Sequence, residues 1–356
     1  MYISNLKIKN KVVTQISMHE SDAKFYKYFN EILNNYASIF ILTQESLSDS
    51  IINNITMKNM PKIKSFILED AENCKSEKQL KEILNFLLIN QCNKDSLIVG
   101  IGGGCVSDIT GFVSSIYMRG IKHILIPTTL LGMVDASIGG KTAINYNNIR
   151  NLIGTIKHPE QVLIFLDYLD SLPENEILNG FAEVIKYALI MDKKLFEYIE
   201  KNKKNLYPKT NKDKLKEIII KCIIHKVGIV QLDEKDSGHR RILNFGHTAG
   251  HALESYLNFQ ISHGIGVLYG MKVATKISLE LNKINKKQYT RITNLIDSFN
   301  IKPLEGINID KILNFMHYDK KYSNNKINYV ILDDIGSSTI NNNINVEVIK
   351  KGLSTL

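Results

Sequence analysis

Hydrophobic and polar positions in the first half of the chain alternate in a way that predicts short strands separated by helices. Apolar runs bounded by turn residues predict buried strands at about 38–43, 64–68, 97–101, 124–126 and 162–165. Helical spacing of apolar residues follows at about 77–89 and 106–118, and residues 1–30 predict edge strands and a first helix. Strands that alternate with helices favour an α/β fold with a parallel, Rossmann-like sheet.

Beyond Pro173 the apolar spacing becomes helical. Helices are predicted at about 174–190, 193–205, 212–230, 245–258, 264–282 and 287–298. A late strand pair is predicted from residues 324–333 and 344–349. The change in pattern predicts two domains with a boundary near residue 170: an α/β domain over 1–170 and a mainly α-helical domain over 171–356.

Composition and charge narrow the possible classes of protein. A chain of 356 residues has room for two domains, and no apolar run approaches the length of a membrane span. The first residues lack the features of a secretory signal, and the four scattered cysteines form no CxxC pair, which favours a cytoplasmic protein. The net charge of +9 comes from dispersed lysines rather than a basic run, so we expect no nucleic-acid partner and no membrane partner.

The stretch LIVGIGGGCVSDITGF, which starts at Leu97, predicts a strand, a glycine turn and a helix. That order places a pyrophosphate on backbone N–H groups at a helix N-terminus, although three adjacent glycines are also common in a simple tight turn. Asp108 is expected in the first helical turn, where a carboxylate suits the helix dipole. Polar residues after the next strand, in PTTLLGMVDASIGGKTAIN, add a candidate phosphate pocket.

Three segments of the helical half contain candidate metal ligands. Glu183 lies among apolar neighbours with Lys186 three residues on, which is also the spacing of an ordinary intrahelical ion pair. His247 and His251 are four residues apart and therefore share a helix face, and His263 precedes a glycine. Two histidines and a carboxylate form a catalytic zinc set, but the spacing alone leaves open which histidines bind the metal.

The segments GGGCVSDITGF, YMRG and PTTLLGMVDASIGGKTAIN closely resemble the signature of 3-dehydroquinate synthase, within the sugar phosphate cyclase superfamily. The resemblance implies a lyase that converts the seven-carbon keto acid phosphate DAHP to 3-dehydroquinate and phosphate. It also implies bound NAD, a divalent metal (zinc or cobalt), an NAD-binding domain over 1–170 and a metal- and substrate-binding domain over 171–356. A homodimer is the assembly that the family suggests.

The resemblance further implies, position by position, which side chains act. It makes the metal ligands Glu183, His247 and His263. The substrate and catalytic positions that it implies are Arg119, Asp135, Lys141, Asn151, Lys186, Lys226, Arg240, Asn244, His251 and Lys320. The cofactor positions that it implies are Asp70, Glu72, Lys75, Gly103, Gly104, Cys105, Val106, Ser107, Asp108, Thr128, Thr129, Lys141, Arg150, Tyr168, Leu169, Asp170 and Ser171.

The chain departs from the family pattern at five positions. Ala71 replaces a glycine before Glu72, and Gln44 replaces an aspartate expected on the adenosine ribose, for which Glu45 is a substitute. The other three replacements are Arg150 for lysine, Asp236 for glutamate and Ile265 for the glutamate of an HGE element. The loss of a carboxylate beside His263 is expected to affect the metal through its surroundings.

Three alternatives stay open at this point. A sister cyclase would act on another sugar phosphate, and a metal-dependent polyol dehydrogenase would accumulate NADH. A catalytically inactive ligand-binding relative is the third, and Ile265 and Arg150 are the residues that favour it.

Overall fold

A computed structural model describes residues 1–45, 47, 63–147, 149–203, 211–318, 322–323 and 326–356. The chain forms two compact units: the first contains residues 1–173 and 226–235, and the second contains residues 174–225 and 236–356. The segment 226–235 thus groups with the first unit although it follows residue 170. Within the described residues, no helix is both long enough and apolar enough to span a bilayer.

The first unit is built on a seven-stranded sheet with the order β1-β2-β9-β6-β5-β3-β4. All neighbours pair in parallel except β1 and β2, which form an antiparallel hairpin at one edge. A separate antiparallel hairpin consists of β7 and β8. The strands are β1 (Tyr2–Ile8), β2 (Lys11–His19), β3 (Ile39–Gln44), β4 (Ile63–Leu68), β5 (Leu97–Gly102), β6 (Lys122–Pro127), β7 (Lys141–Tyr146), β8 (Ile149–Ile156) and β9 (Gln161–Phe165).

Helices cover both faces of this sheet: α1 (Asp22–Leu33), α2 (Glu77–Ile89) and α3 (Gly104–Ile116). Successive residues of a strand point to opposite faces, so Ile41 packs with Phe25 and Phe29 of α1, whereas Phe40 belongs to the cluster that contains Phe112 of α3. All six residues of β5 are buried, which explains why that strand is a continuous apolar run.

The second unit is mainly helical. Its helices, with the long α6 that continues into segment 226–235, are α4 (Glu174–Met191), α5 (Lys193–Asn202), α6 (Lys212–Leu232), α7 (His247–Tyr256), α8 (His263–Glu280), α9 (Lys286–Asp297), α10 (Ile309–Tyr318) and α11 (Val346–Leu353). Short antiparallel pairs join β10 (Tyr322–Ser323) to β11 (Lys326–Ile327), and β12 (Tyr329–Asp334) to β13 (Ser337–Asn341).

The predicted α/β fold class is confirmed, and three local predictions are wrong. Residues 344–349 form no strand, because α11 begins at Val346 with the side chain of Asn345 as its N-cap; the strand that pairs with β12 is β13. The helix predicted over 106–118 begins at Gly104 and ends at Ile116, where Met118 and Arg119 take positive φ. Asp108 therefore lies in the second turn of α3, beyond the first turn where the helix dipole acts most strongly.

Candidate active site

The glycine turn after β5 forms the tight connection that the sequence predicts. Gly103 is the N-cap of α3, and a Cβ atom on it would lie 3.2 Å from Cγ2 of Thr129. A Cβ atom on Gly104 would lie 3.1 Å from Cβ of Ala136. The backbone at the start of α3 thus lies close to the segment after β6, and its first N–H groups suit an anionic group such as a pyrophosphate.

A buried polar cluster lies beside this turn and contains four of the predicted cofactor residues. Nζ of Lys75, whose side chain is 3% exposed, donates to Oδ2 of Asp108 at 2.6 Å and lies 3.5 Å from Oε1 of Glu72. Lys75 also donates to Oδ1 of Asn151. The Cys105 thiol donates to Oε2 of Glu72 at 3.0 Å.

Lys75 and Glu72 stabilise each other's charged forms in this cluster, whereas burial raises the pKa of Asp108 in spite of the nearby Lys75. Burial opposes the charged form of Lys75, but the carboxylates of Asp108 and Glu72 outweigh burial and raise the pKa of Lys75. Burial likewise opposes ionisation of Glu72, whereas Lys75 and the hydrogen bonds from Cys105 and Asn145 lower the pKa of Glu72 overall. Burial and the nearby Glu72 raise the pKa of the Cys105 thiol well above its usual range. The cluster therefore holds a lysine cation, which suits a phosphate, and a carboxylate, which suits the hydroxyl groups of a ribose.

A second pair of predicted residues also meets in the first unit. Nζ of Lys226 donates to Oδ1 of Asp135 at 2.7 Å, and the lysine side chain is 7% exposed. Asp135 lies in the π-helical turn Gly132–Ala136, which follows the predicted ligand-binding residues Thr128 and Thr129. Thr129 accepts a hydrogen bond from the Gly132 backbone N–H at 3.0 Å and so holds the start of this turn.

The other predicted positions of the first unit fall into two groups. The first group is wholly or partly exposed: Arg150 is half-buried, and the exposed residues are Asp70, Arg119, Lys141, Asp170 and Ser171. The backbone of Arg119 has a φ of +61°. The second group is buried and consists of Val106, Ser107 and Leu169. Because the side chains of Val106 and Leu169 are buried, a cofactor would meet these residues through their backbone groups. The ring of Tyr168 packs on those of Phe25 and Phe165. Gln44 donates its side-chain amide to the Glu69 carbonyl at 3.4 Å.

In the second unit, Glu183 and three histidines come together. Glu183 lies on α4 and is 1% exposed. Its Oε1 atom lies 3.5 Å from Nε2 of His247 and 3.8 Å from Nε2 of His263, and it accepts no hydrogen bond from the described residues. The other carboxylate oxygen, Oε2, forms an ion pair with Lys186.

The histidine rings are held with their Nε2 atoms toward Glu183. Nδ1 of His247 lies 3.1 Å from the Phe245 carbonyl oxygen, and Nδ1 of His263 lies 3.0 Å from Oε1 of Glu254. Because a carbonyl and a carboxylate only accept, each Nδ1 atom carries the proton, and in the neutral ring Nε2 then carries the lone pair. The ring of His251 completes the cluster, with centroids 5.3 Å from His247 and 5.6 Å from His263.

This arrangement fits a divalent metal ion. Two ligand atoms that are each about 2.1 Å from a tetrahedral ion lie about 3.4 Å apart. The measured separations from Glu183 Oε1 to the two Nε2 atoms are 3.5 and 3.8 Å, and an ion between them would satisfy an oxygen that is otherwise buried without a hydrogen bond. One nitrogen from each of His247, His251 and His263 lies within 4.8 Å of the other two, so the structure brings His251 to the same place.

The remaining predicted residues of the second unit differ in environment. Arg240, at 2% exposed, is buried, and Asn244 is half-buried, both in the 3₁₀ segment His239–Asn244. Lys320 lies outside the described residues. The sequence interpretation did not name Glu254, which touches His263, or Asn179, whose Oδ1 accepts from the Gly264 backbone N–H at 3.2 Å. The one sequence signal available for Glu254 is its position three residues after His251, on the same helix face, and that spacing does not identify His263 as its partner.

Comparisons with known proteins agree with the resemblance. Family models described as 3-dehydroquinate synthase N-terminal and 3-dehydroquinate synthase C-terminal match residues 65–179 and 180–322. A 3-dehydroquinate synthase of Clostridium tetani is 37% identical over 333 residues, covering 93% of this chain and 89% of the relative. One of Thermodesulfovibrio yellowstonii is 42% identical over 291 residues, covering 81% of each.

Among solved structures, the chain is similar to 2-epi-5-epi-valiolone synthase of Streptomyces hygroscopicus subsp. jinggangensis 5008, solved with NAD+ and Zn2+. The TM-score is 0.88 at 20% identity, over 100% of this chain and 99% of the other. At that identity the likeness shows a shared fold.

Proposed function

The chain belongs to the 3-dehydroquinate synthase family, and from that membership we propose that it converts DAHP to 3-dehydroquinate and phosphate. This reaction is a step of the shikimate pathway to chorismate and the aromatic amino acids. The observation that carries the proposal is the Oε1 atom of Glu183, buried without a hydrogen bond between the Nε2 atoms of His247 and His263. NAD and zinc, both present in the valiolone synthase structure, are the cofactors that this site and the glycine turn suit, with cobalt as the other candidate metal.

The proposed roles follow from the environment of each side chain. Glu183, His247 and His263 hold the divalent ion, and the glycine turn with Glu72 and Lys75 holds the dinucleotide. When bound, NAD accepts and returns a hydride, and the divalent ion acidifies a ring hydroxyl as a Lewis acid.

Buried cations explain how a doubly anionic substrate would be held. Lys186 and Arg240 of the second unit are each at most 2% exposed, so they act in surroundings where charge is weakly screened. Arg240 can bind a carboxylate or phosphate through two N–H groups at once, and Lys186 acts as a point charge. Positioning by such groups accounts for much of the catalysis, because the later steps are intramolecular.

A sister cyclase function is the second candidate. The observation that favours it is Ile265, which stands in place of the family glutamate. The two functions differ in substrate, so phosphate release from DAHP against release from other sugar phosphates separates them.

We also propose a cytoplasmic homodimer. The four cysteines are thiols rather than disulfides, and three of them are buried, which suits a reducing compartment. The outer strand of the β7–β8 hairpin exposes Ile149, Leu152, Ile153 and Ile156, each at least 39% exposed, and such a patch suits burial against a second copy.

Phosphate release from DAHP tests the proposed reaction. Purified protein receives DAHP with catalytic NAD and Zn²⁺ or Co²⁺, and a chelator-treated sample is the control. We expect stoichiometric, metal-dependent phosphate release without NADH build-up, and loss of release in His263→Ala, because that change removes one ligand.

Two results of this assay would contradict the proposed reaction, and they have different meanings. An absence of release from metal-loaded, NAD-bound protein would overturn the dehydroquinate reaction and direct the assay to other sugar phosphates. Net NADH accumulation would instead indicate a polyol dehydrogenase.

A further inference from the structure

The carboxylate of Glu254 is buried against a candidate metal ligand. Glu254 is 2% exposed, and its Oε1 atom lies 3.0 Å from Nδ1 of His263. We propose that Glu254 is a positioning residue of the metal site, which accepts the Nδ1–H of His263 and aims Nε2 at the ion shared with Glu183. The inference rests on the proposed function, because it assumes that a metal binds at Glu183, His247 and His263.

The contact with Glu254 determines which nitrogen of His263 carries the proton. A neutral imidazole has one N–H and one lone pair, and an ionised carboxylate can only accept. Glu254 therefore selects the form of His263 in which Nε2 has the lone pair. A carboxylate on the far nitrogen also makes the ring a better electron donor to a metal.

The two metal-site histidines are oriented in different ways. His247 takes the same form through the Phe245 carbonyl, a neutral backbone group two residues away. His263 depends on a charged side chain from another helix, since Glu254 lies on α7 and His263 begins α8. The orientation of His263 is thus the one that a single substitution can remove.

Glycines between α7 and α8 make room for this contact. A Cβ atom on Gly266, one turn after His263, would lie 3.0 Å from Cγ and 3.1 Å from Oε1 of Glu254. A Cβ atom on Gly250 would lie 2.8 Å from the Gly266 carbonyl oxygen. The helices therefore approach closely at the level where Glu254 reaches His263.

The proposal also bears on Ile265. That residue takes the place of a glutamate in the family's HGE element, a change that predicts the loss of a carboxylate beside His263. The structure nevertheless provides one from α7, through Glu254. We infer that His263 keeps its charged hydrogen-bond partner in spite of Ile265.

The test compares zinc affinity in metal-free protein among Glu254→Ala, Glu254→Gln and a matched control, Glu280→Gln. Glu280 ends α8 and pairs with Lys276 and Lys351, so its substitution removes the same charge from the same unit. Zn²⁺ affinity is measured by competition with a chromophoric chelator, and the urea midpoint reports folding. Long-range ¹H–¹⁵N spectra of the zinc-loaded protein report which nitrogen of His263 carries the proton.

We expect Glu254→Ala to weaken zinc binding about 10- to 100-fold, as loss of such an outer partner typically does. Glu254→Gln should weaken it less, because its amide oxygen still accepts the hydrogen bond without the charge. Glu280→Gln should bind as the unaltered protein does. The Nδ1–H signal of His263 should change in Glu254→Ala and persist in the control.

Two results would overturn the proposal separately from the proposed function. Zinc binding by Glu254→Ala as tight as that of the unaltered protein, or equal weakening in Glu280→Gln, would remove the positioning role and leave the metal site standing. No zinc binding by the unaltered protein would overturn the metal site and the positioning role together. If Glu254→Ala does not fold, the nearly isosteric Glu254→Gln decides between these outcomes.

Discussion

Ala71 has a backbone φ of +54°, in the left-handed region that costs residues with a Cβ atom about 1–2 kcal/mol. It precedes Glu72 and starts the 3₁₀ turn Ala71–Lys75, which brings Glu72 and Lys75 into the buried cluster. The sequence resemblance places a glycine here, and the structure supplies the reason, because glycine takes this conformation without strain.

We therefore expect Ala71→Gly to raise the free energy of unfolding by about 1 kcal/mol, after the greater freedom of glycine in the unfolded chain offsets part of the relief. Urea denaturation measures the change. The matched control is Asn10→Gly at φ +65°, where asparagine already tolerates the left-handed region, so a smaller gain is expected. An Ala71→Gly protein no more stable than the original would contradict the assignment of strain.

The elements that carry the metal site depend on close helix packing. A Cβ atom on Gly270 of α8 would lie 1.8 Å from the Gly246 carbonyl oxygen at the start of α7. No flexible side chain can yield there, since the obstacle is backbone. The four-residue spacings of Gly246 with Gly250 and of Gly266 with Gly270 are visible in the sequence, but which helices they join is not.

Gly270→Ala should lower the free energy of unfolding by roughly 3 kcal/mol, at the upper end of overpacking costs, and weaken zinc binding by shifting α7. The control is Gly228→Ala, four residues before the end of α6, where a Cβ atom meets nothing within 4 Å. There alanine should stabilise the protein by about 0.5–1 kcal/mol through helix propensity. Chemical denaturation gives the free energy of unfolding of both variants, and a zinc titration gives their metal affinity. An unchanged denaturation midpoint for Gly270→Ala would show that the two helices can separate at little cost in free energy.

For the molecule as a whole, the exposed strand β8 predicts self-association. Ile149 is 51% exposed and Ile153 is 39% exposed. The same strand is attached to α3 through the Thr155 hydroxyl, which donates a hydrogen bond to the Ser115 hydroxyl. Ile153→Asp should convert a dimer to a monomer, because it would bury a charge in an apolar contact.

Light scattering coupled to gel filtration measures the mass. Leu88→Asp is the control, since Leu88 is 68% exposed at the end of α2, away from β8 in sequence. A monomeric unaltered protein, or an Ile153→Asp protein that remains dimeric, would argue against a dimer through this strand.

The local spacing of apolar residues predicts much of the fold. The predicted strands at 64–68 and 162–165 and the helix at 77–89 correspond to β4, β9 and α2, because apolar period and turn residues act over a few positions. The late strand at 344–349 was wrong for the same reason: a short stretch with alternating apolar residues is ambiguous, and the Asn345 cap and packing made it α11. The β7–β8 hairpin and α10 were missed.

The sequence alone predicts the order of strands and helices along the chain, the glycine turn and the set of candidate metal ligands. Each of these depends on the spacing of residues within a short segment. The contacts that give these residues their chemistry needed the folded chain. Lys75 meets Asp108 across 33 positions, Asp135 meets Lys226 across 91, and Glu254 reaches His263 only because two glycine-bearing helices pack closely. No periodicity encodes such partners, since they are set by the packing of separate elements. That packing turns a list of charged residues into a buried ion pair or a ligand of defined orientation.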